Sequence, residues 1–420
     1  MAPSLPLFSF LLLLVALAGG PSDRQINRAA SSTAETEVFE RSRRSVFLVE
    51  TESGHGSGFL VDRSGLVITN HHVVGSGRYL AVGIDPRHKY AAVVIARDPV
   101  RDLALLRVHP AAVEQVTPLP LARAAASRVR VGERVLAIGS ALTGDGTVLT
   151  AGMVSRVTDD TFIADLNVNS GTSGGPLLNL AGEVVGICTF YMKAPAGPGL
   201  AGIMRADSVQ AFVDGVNADA LEKMPSPDRL PVASPTPYPA AALRERALAL
   251  RDPSAYGVKI SGMRIDVLTP PVVYLLGHDQ EIRKARDQRY TWLTHSAEME
   301  AIVAIRAVPA LISVPGEPVR FTRDLERLRL LRNGVDVVPI VPGRFCSSSA
   351  AQTTLRQPVG CFGLYQYDPS AFAPDGELEL QVFLDGSPKP HVWKLPTTLV
   401  KRVWSDFAPW LSLAERDVPR

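Results

Sequence analysis

Cysteine is scarce in this chain, three in 420 residues. That excludes the disulfide-dense scaffold of a small secreted domain. The eight histidines are scattered, and none stands at zinc-ligand spacing from a cysteine, so neither a metal site nor a cofactor is expected. Charge of one sign is not in excess. Lys and Arg number 44 against 42 Asp and Glu, a formal net charge of +2, which gives no argument for a nucleic-acid partner. No internal repeat is visible. Long apolar runs are missing too, except residues 7–18 at the start, which are too short for a comfortable membrane span.

That one run is followed by small residues, with Ala16-Leu17-Ala18 as a cleavage box, and reads as a secretory signal peptide over residues 1–20. The expected location is therefore outside the cytosol, periplasmic or secreted, with no membrane span left once the signal is cut. In an oxidising compartment Cys346 and Cys361, fifteen apart in a Ser/Gln/Gly-rich stretch, are expected to form a disulfide. A loop of that size contributes about 3 kcal/mol in the chain-entropy picture. Cys188, inside Val-Val-Gly-Ile-Cys-Thr, reads as a buried core thiol.

What the chain does have is the octapeptide Asn-Ser-Gly-Thr-Ser-Gly-Gly-Pro at 169–176. Such a loop puts Ser173 on a tight turn, uncrowded by its glycine neighbours. The N–H groups of Gly171 and Ser173 can then converge on one point, as a nucleophile and its oxyanion hole require. A base and an orienting acid stand upstream. Thr69-Asn70-His71-His72-Val73-Val74 follows the apolar Leu66-Val67-Ile68, and of its two histidines His72 is taken as the base. Asp102 opens the apolar stretch Leu103–Leu106 and is taken as the acid, whereas Asp98 precedes a proline and reads as a turn residue. The roles follow from the chemistry: Ser173 attacks, His72 carries the proton, and Asp102 orients the imidazole.

These segments, with Gly56-Ser57-Gly58-Phe59, Gly152-Met153-Val154-Ser155 and Gly171–Leu177, resemble the trypsin-like serine endopeptidases, most closely the HtrA/Deg-type branch. The resemblance covers about residues 38–215. It implies two six-stranded β-barrels with the site in the cleft between them, protein or peptide substrates, and a role in extracytoplasmic protein quality control. It also implies that the residue six before the nucleophile, Asn167, shapes the substrate pocket. With no Asp at that position, the resemblance implies cleavage after small or medium apolar residues rather than after Arg or Lys. Two features depart from the branch. Thr172 stands where an Asn is usual, and no Gly-x-Gly-apolar segment after 216 matches the carboxylate loop of a PDZ domain. Residues 21–45 likewise show no match to the branch's trimerisation region, so the oligomeric state is left open.

The expected organisation is a signal peptide at 1–20, a flexible polar leader at 21–37, the protease domain at 38–216, a Pro-rich linker at 217–240 and a mainly β C-terminal domain at 241–420. The fold class is all-β: short apolar runs separated by turns through the first half, and a small β-sandwich in the second. In that second half Asn333-Gly334 between Leu330-Leu331 and Val337-Val338 signals a hairpin. The alternation of Glu377–Leu384 signals a half-buried strand, with a further strand near Val392–Leu395 after the turn Asp385-Gly386. Ala241–Arg251 is expected to be helical, and Trp393, Trp404 and Trp410 read as packing residues. A different class of function stays open, a secreted scaffold with a silenced protease domain whose working part is the C-terminal domain.

Overall fold

Strands buried on both faces dominate the first half of the molecule. The computed structural model describes residues 34–52, 54–76, 79–123, 129–140, 146–166, 171–191, 199–234, 236–250, 253–260, 262–278, 300–315, 318–347 and 358–414. The predicted signal peptide and most of the leader lie outside the described residues. Residues 34–37, placed in the polar leader by composition, instead belong to a helix, α1, over 34–42. Its Val38 is buried, Glu35 pairs with Arg134, and Arg41 donates to the Ala181 carbonyl at 2.7 Å.

The first group of strands is β1 (Val46–Thr51), β2 (Gly54–Asp62), β3 (Leu66–Thr69), β4 (Leu80–Asp85), β5 (His88–Ala91), β6 (Val93–Asp98) and β7 (Leu103–Arg107). They form one sheet in the order β5-β4-β1-β2-β3-β7-β6. Its two ends are consecutive in the chain: β5 pairs with β4, β6 pairs with β7, and only Ala92 lies between. The sheet therefore curls round on a single strand bent at that residue, whose N–H still bonds the Leu80 carbonyl. With β5 and β6 counted as that one bent strand, the group has the six strands expected of the first barrel. The sheet has eight strands, because Arg229–Leu230, here β14, adds itself to the outer edge of β5.

The second group is a closed six-stranded barrel, as expected: β8 (Arg134–Ser140), β9 (Thr147–Val157), β10 (Thr161–Asp165), β11 (Pro176–Leu178), β12 (Val184–Tyr191) and β13 (Leu200–Arg205). A helix over Ala206–Asp214 follows and packs on β12.

Successive side chains of a strand point to opposite faces, and here each face has its own core. Along β7, Ala104 and Leu106 point into the first barrel while Leu103 and Leu105 point into a shared core between the barrels. Along β8, Val135 and Ala137 fill the second barrel while Leu136 and Ile138 enter the same shared core. Phe59 and Leu60 split likewise, as do Leu177 and Leu178. This is why these strands read as unbroken apolar runs instead of alternating ones.

The second half has one core built from two antiparallel sheets and flanking helices. One sheet has β15 (Gly257–Ile260), β16 (Met263–Leu268), β17 (Val303–Pro309), β22 (Val341–Ser347) and β23 (Gly360–Tyr367), in the order β15-β16-β17-β23-β22. The other has β20 (Leu325–Arg332), β21 (Val335–Val337), β24 (Leu378–Leu384) and β25 (His391–Lys394), in the order β21-β20-β24-β25. The short pair β18 (Leu311–Ile312) and β19 (Arg320–Phe321) lies beside them. The predicted hairpin is present: Arg332 pairs with Val335, and Asn333 and Gly334 both take positive φ, 51° and 80°. The burial of β24 alternates strictly, as its sequence implies.

Proline-rich as it is, the stretch before this half is pinned. Tyr238 is buried in the C-terminal core, stacked edge-on against Phe407, and Trp410 Nε1 donates to the Thr236 carbonyl at 2.9 Å. Beneath them the Asp406 carboxylate accepts from Tyr256 and Thr269, each at 2.7 Å, and burial raises its pKa above the usual carboxylate range. The two halves also touch. Buried Lys89 pairs with Glu50 at 3.0 Å and donates to the Ile340 carbonyl at 2.5 Å, and Arg344 N–H bonds the Glu52 carbonyl at 2.9 Å.

Cys346 and Cys361 are direct partners across β22 and β23, with sulphurs 2.10 Å apart, at disulfide distance. Alkylation of denatured, unreduced protein is expected to modify Cys188 alone, and all three cysteines after reduction, as read by intact mass. Leu105→Ala, at the centre of the shared core, is expected to lower unfolding stability by about 2–5 kcal/mol in a denaturant titration.

Candidate active site

Asp102 sits at the mouth of β7 with φ at +55°, a left-handed backbone that Asp tolerates better than most residues. The turn is held from several sides. Its carbonyl accepts from His71 N–H at 3.1 Å and from Asn70 Nδ2 at 2.8 Å. One carboxylate oxygen accepts from the His72 backbone N–H at 2.9 Å, and the other lies 2.6 Å from His72 Nδ1. A carboxylate only accepts, so Nδ1 carries a proton, and in the neutral ring Nε2 then holds the free lone pair. His72 stands on a single helical turn, His71–Val74, that follows β3, and its side chain is half exposed. Val73 and Val74 anchor that turn in the core of the first barrel.

The structure thus brings His72, not His71, onto Asp102. The Nδ1 of His71 is buried and has no hydrogen-bond partner among the described residues. Asp98 behaves as its sequence suggests: its Oδ1 accepts from the N–H groups of Val100 and Arg101, both at 3.0 Å, in a local turn.

Ser173 arrives from the second barrel, in the loop before β11. The loop is fixed at both ends. Gly174 N–H bonds the Cys188 carbonyl at 2.8 Å, Cys188 N–H bonds that of Gly175 at 3.0 Å, and Ser57 N–H bonds that of Ser173 at 2.7 Å. Gly174 has φ at +85°, and a Cβ there would lie 2.1 Å from the Ser57 carbonyl oxygen and 2.4 Å from Thr69 Oγ1. Only glycine fits. Among the described residues no hydrogen bond joins Ser173 Oγ to His72, and neither the Gly171 nor the Ser173 N–H donates to another group. Catalytic hydrogen bonds are often long before substrate arrives. Asn167 lies outside the described residues. Burial pushes the Cys188 thiol, beneath the loop, up to about 12, so it stays protonated and unreactive. Among the described residues no cluster of three His, Cys, Asp or Glu could hold a metal ion.

Residues 56–187 match the family model of the trypsin-like peptidase domain. That match takes in about a third of the chain. The chain is 35% identical over 177 residues to a "Probable periplasmic serine endoprotease DegP-like" of Marinomonas sp., a stretch that covers 40% of this chain and 36% of that one. It is 41% identical over 160 residues to the mitochondrial serine protease HTRA2 of Bos taurus, covering 35% and 33%. It is 34% identical over 202 residues to the serine protease HTRA4 of Mus musculus, covering 45% and 39%. The chain therefore spans about a third of the length of the relatives it matches. A crystal structure of a serine endoprotease from Yersinia pestis aligns with 43% of this chain and 65% of its own, at a TM-score of 0.38 and 24% identity.

Three residues of the matched segment went unread in the sequence as site residues: Ser57, Thr69 and Asn70. All are fully buried. Thr69 Oγ1 donates to the Ser57 carbonyl at 2.6 Å, and Asn70 Nδ2 holds the Asp102 carbonyl. The available signal was a buried-strand serine between two glycines, Gly56-Ser57-Gly58, and it was legible only as part of a motif. A separate open cleft of about 530 Å³, lined by Val61, Leu66, Leu119, Leu121, Glu183 and Val213, holds none of the site residues.

Gly174→Ala is expected to lower the melting temperature by far more than Gly132→Ala. Position 132 has a similar φ of +90° but nothing within 4 Å of the added methyl, so the pair separates crowding from backbone strain.

Proposed function

We propose that this chain is an exported serine endopeptidase that hydrolyses peptide bonds in protein substrates through Ser173, His72 and Asp102. The observation that carries the reading is the double hold of Asp102 on His72, 2.9 Å to its N–H and 2.6 Å to Nδ1. That hold leaves Nε2 as a base with one fixed direction. Ser173 Oγ attacks the scissile carbonyl while Nε2 takes its proton. The charge that develops on the carbonyl oxygen is met by the N–H groups of Gly171 and Ser173. His72 then gives the proton to the leaving amine. Water, activated by the same imidazole, releases the acyl group and regenerates Ser173. Asp102 stabilises the imidazolium in both halves of the reaction.

The relatives' names support protein substrates and, for the DegP-like one, a periplasmic setting. The apolar segment at 7–18 supports export of this chain, and no helix among the described residues is long and apolar enough to cross a membrane. Asn167 is proposed to shape a pocket for small or medium apolar residues, and profiling on a peptide library tests this, with strong preference for Arg or Lys overturning it. The C-terminal unit is proposed to be a separate domain that serves the protease, docked through Lys89 and Ile340.

A fluorophosphonate is expected to label the wild type and not Ser173→Ala, whose kcat falls by about 10⁶-fold. Asp102→Asn is expected to keep the fold and lower kcat by about 10⁴-fold, because the amide favours the wrong imidazole tautomer. If neither wild type nor Ser173→Ala is labelled, the peptidase reading fails and a silent scaffold takes its place.

A further inference from the structure

Ser57 joins the two halves of the site. It belongs to β2 of the first barrel and is wholly buried. Its N–H donates to the Ser173 carbonyl at 2.7 Å. Its hydroxyl donates to the Gly171 carbonyl at 2.5 Å, and the same oxygen accepts the N–H of Ser140, at the end of β8, at 2.7 Å. Its carbonyl accepts Thr69 Oγ1 at 2.6 Å, three residues before His72. One residue is therefore bonded to the nucleophile loop at two points, to a second-barrel strand, and to the strand that leads into the base.

Any residue could make the backbone bond from position 57 to Ser173. The hydroxyl is what serine adds. Both of its functions are used, as a donor to Gly171 and as an acceptor from Ser140, in a place closed to water. Without it the Gly171 carbonyl and the Ser140 N–H would face each other across an empty gap. The carbonyl it holds fixes the plane of the Gly171–Thr172 peptide. Gly171, at a φ of +101°, has a glycine's wide choice of torsions, and its own N–H is half of the proposed oxyanion hole.

We propose that Ser57 is a positioning residue: its hydroxyl selects the one conformation of the Gly171–Ser173 loop that aims both N–H groups at the developing oxyanion, and holds that loop in register with His72. This rests on the endopeptidase reading above. The hydroxyl touches neither substrate nor reacting atoms, so it acts on the rate by holding donors already in place.

The test uses the full chain as wild type, Ser57→Ala, Ser57→Cys and Ser173→Ala. The readouts are the rate of fluorophosphonate labelling, kcat and KM separately on a peptide substrate, and the melting temperature. Ser57→Ala is expected to fold, to label more slowly, and to lose kcat by about 10- to 100-fold, less than the roughly 10²- to 10³-fold that follows loss of a direct oxyanion donor. KM should change by less than about threefold, since the donors act on the transition state. Wild-type labelling and kcat in Ser57→Ala, even with a lower melting temperature, overturn the proposal and leave Ser57 as a brace for stability alone. Should the alanine variant not fold, Ser57→Cys decides. Its thiol fills the space but is a weak donor and acceptor, so reduced kcat at a near-native melting temperature supports the proposal and unchanged kcat overturns it. Absence of labelling in the wild type overturns the endopeptidase reading and this proposal together.

Discussion

Leu103 to Leu106 have no side left for water, and the first half of the molecule is organised around that fact. A strand whose two faces are both buried must lie between two cores, one inside its own barrel and one shared with its neighbour. β2, β3 and β7 meet this condition in the first barrel, and β8, β11 and β12 in the second. The shared core sets the barrels against each other, and the loops at the ends of those same strands meet as a consequence. Thr69, Asp102 and Ser140 each sit at a strand end, and Ser173 sits three residues before β11.

The chemistry of the candidate site is assembled by hydrogen bonds that the shared core makes geometrically available. Asp102 adopts a left-handed backbone because four bonds from Asn70, His71 and His72 hold it there. The serine loop adopts its own sharp path because Gly174 alone can pass under the Ser57 carbonyl. The partners of Asp102 come from its own barrel, whereas the serine loop is held both by Cys188 of its own barrel and by Ser57 of the other.

The C-terminal unit follows a different logic. Its two sheets and its helices close over one core, and the Pro-rich stretch before it is drawn into that core by Tyr238 and by the bond from Trp410 to Thr236. The contact with the first barrel includes a buried lysine that has both a carboxylate and a backbone carbonyl to satisfy it. A buried cation without those partners would be costly, so Lys89 fits this interface only when the two halves are together.

By itself the sequence determined where local structure turns, and it pointed to the residues proposed to carry the chemistry. The Gly-rich serine loop, the choice of His72 over His71, the turn at Asp98, the hairpin at Asn333-Gly334 and the alternation of β24 are all local signals, set by a few neighbours and by backbone stereochemistry. Tertiary structure alone decided the rest. It added β14 to the first sheet, closed that sheet through a bend at Ala92, took residues 34–37 into a docked helix, and gave Ser57, Thr69 and Asn70 their partners. Each of those outcomes depends on groups far apart in the chain, such as Ser57 and Gly171, separated by 114 positions. A hydroxyl between two glycines in a strand looks the same in any sequence, and its role is defined only when the partner that fills its hydrogen bond has been folded against it.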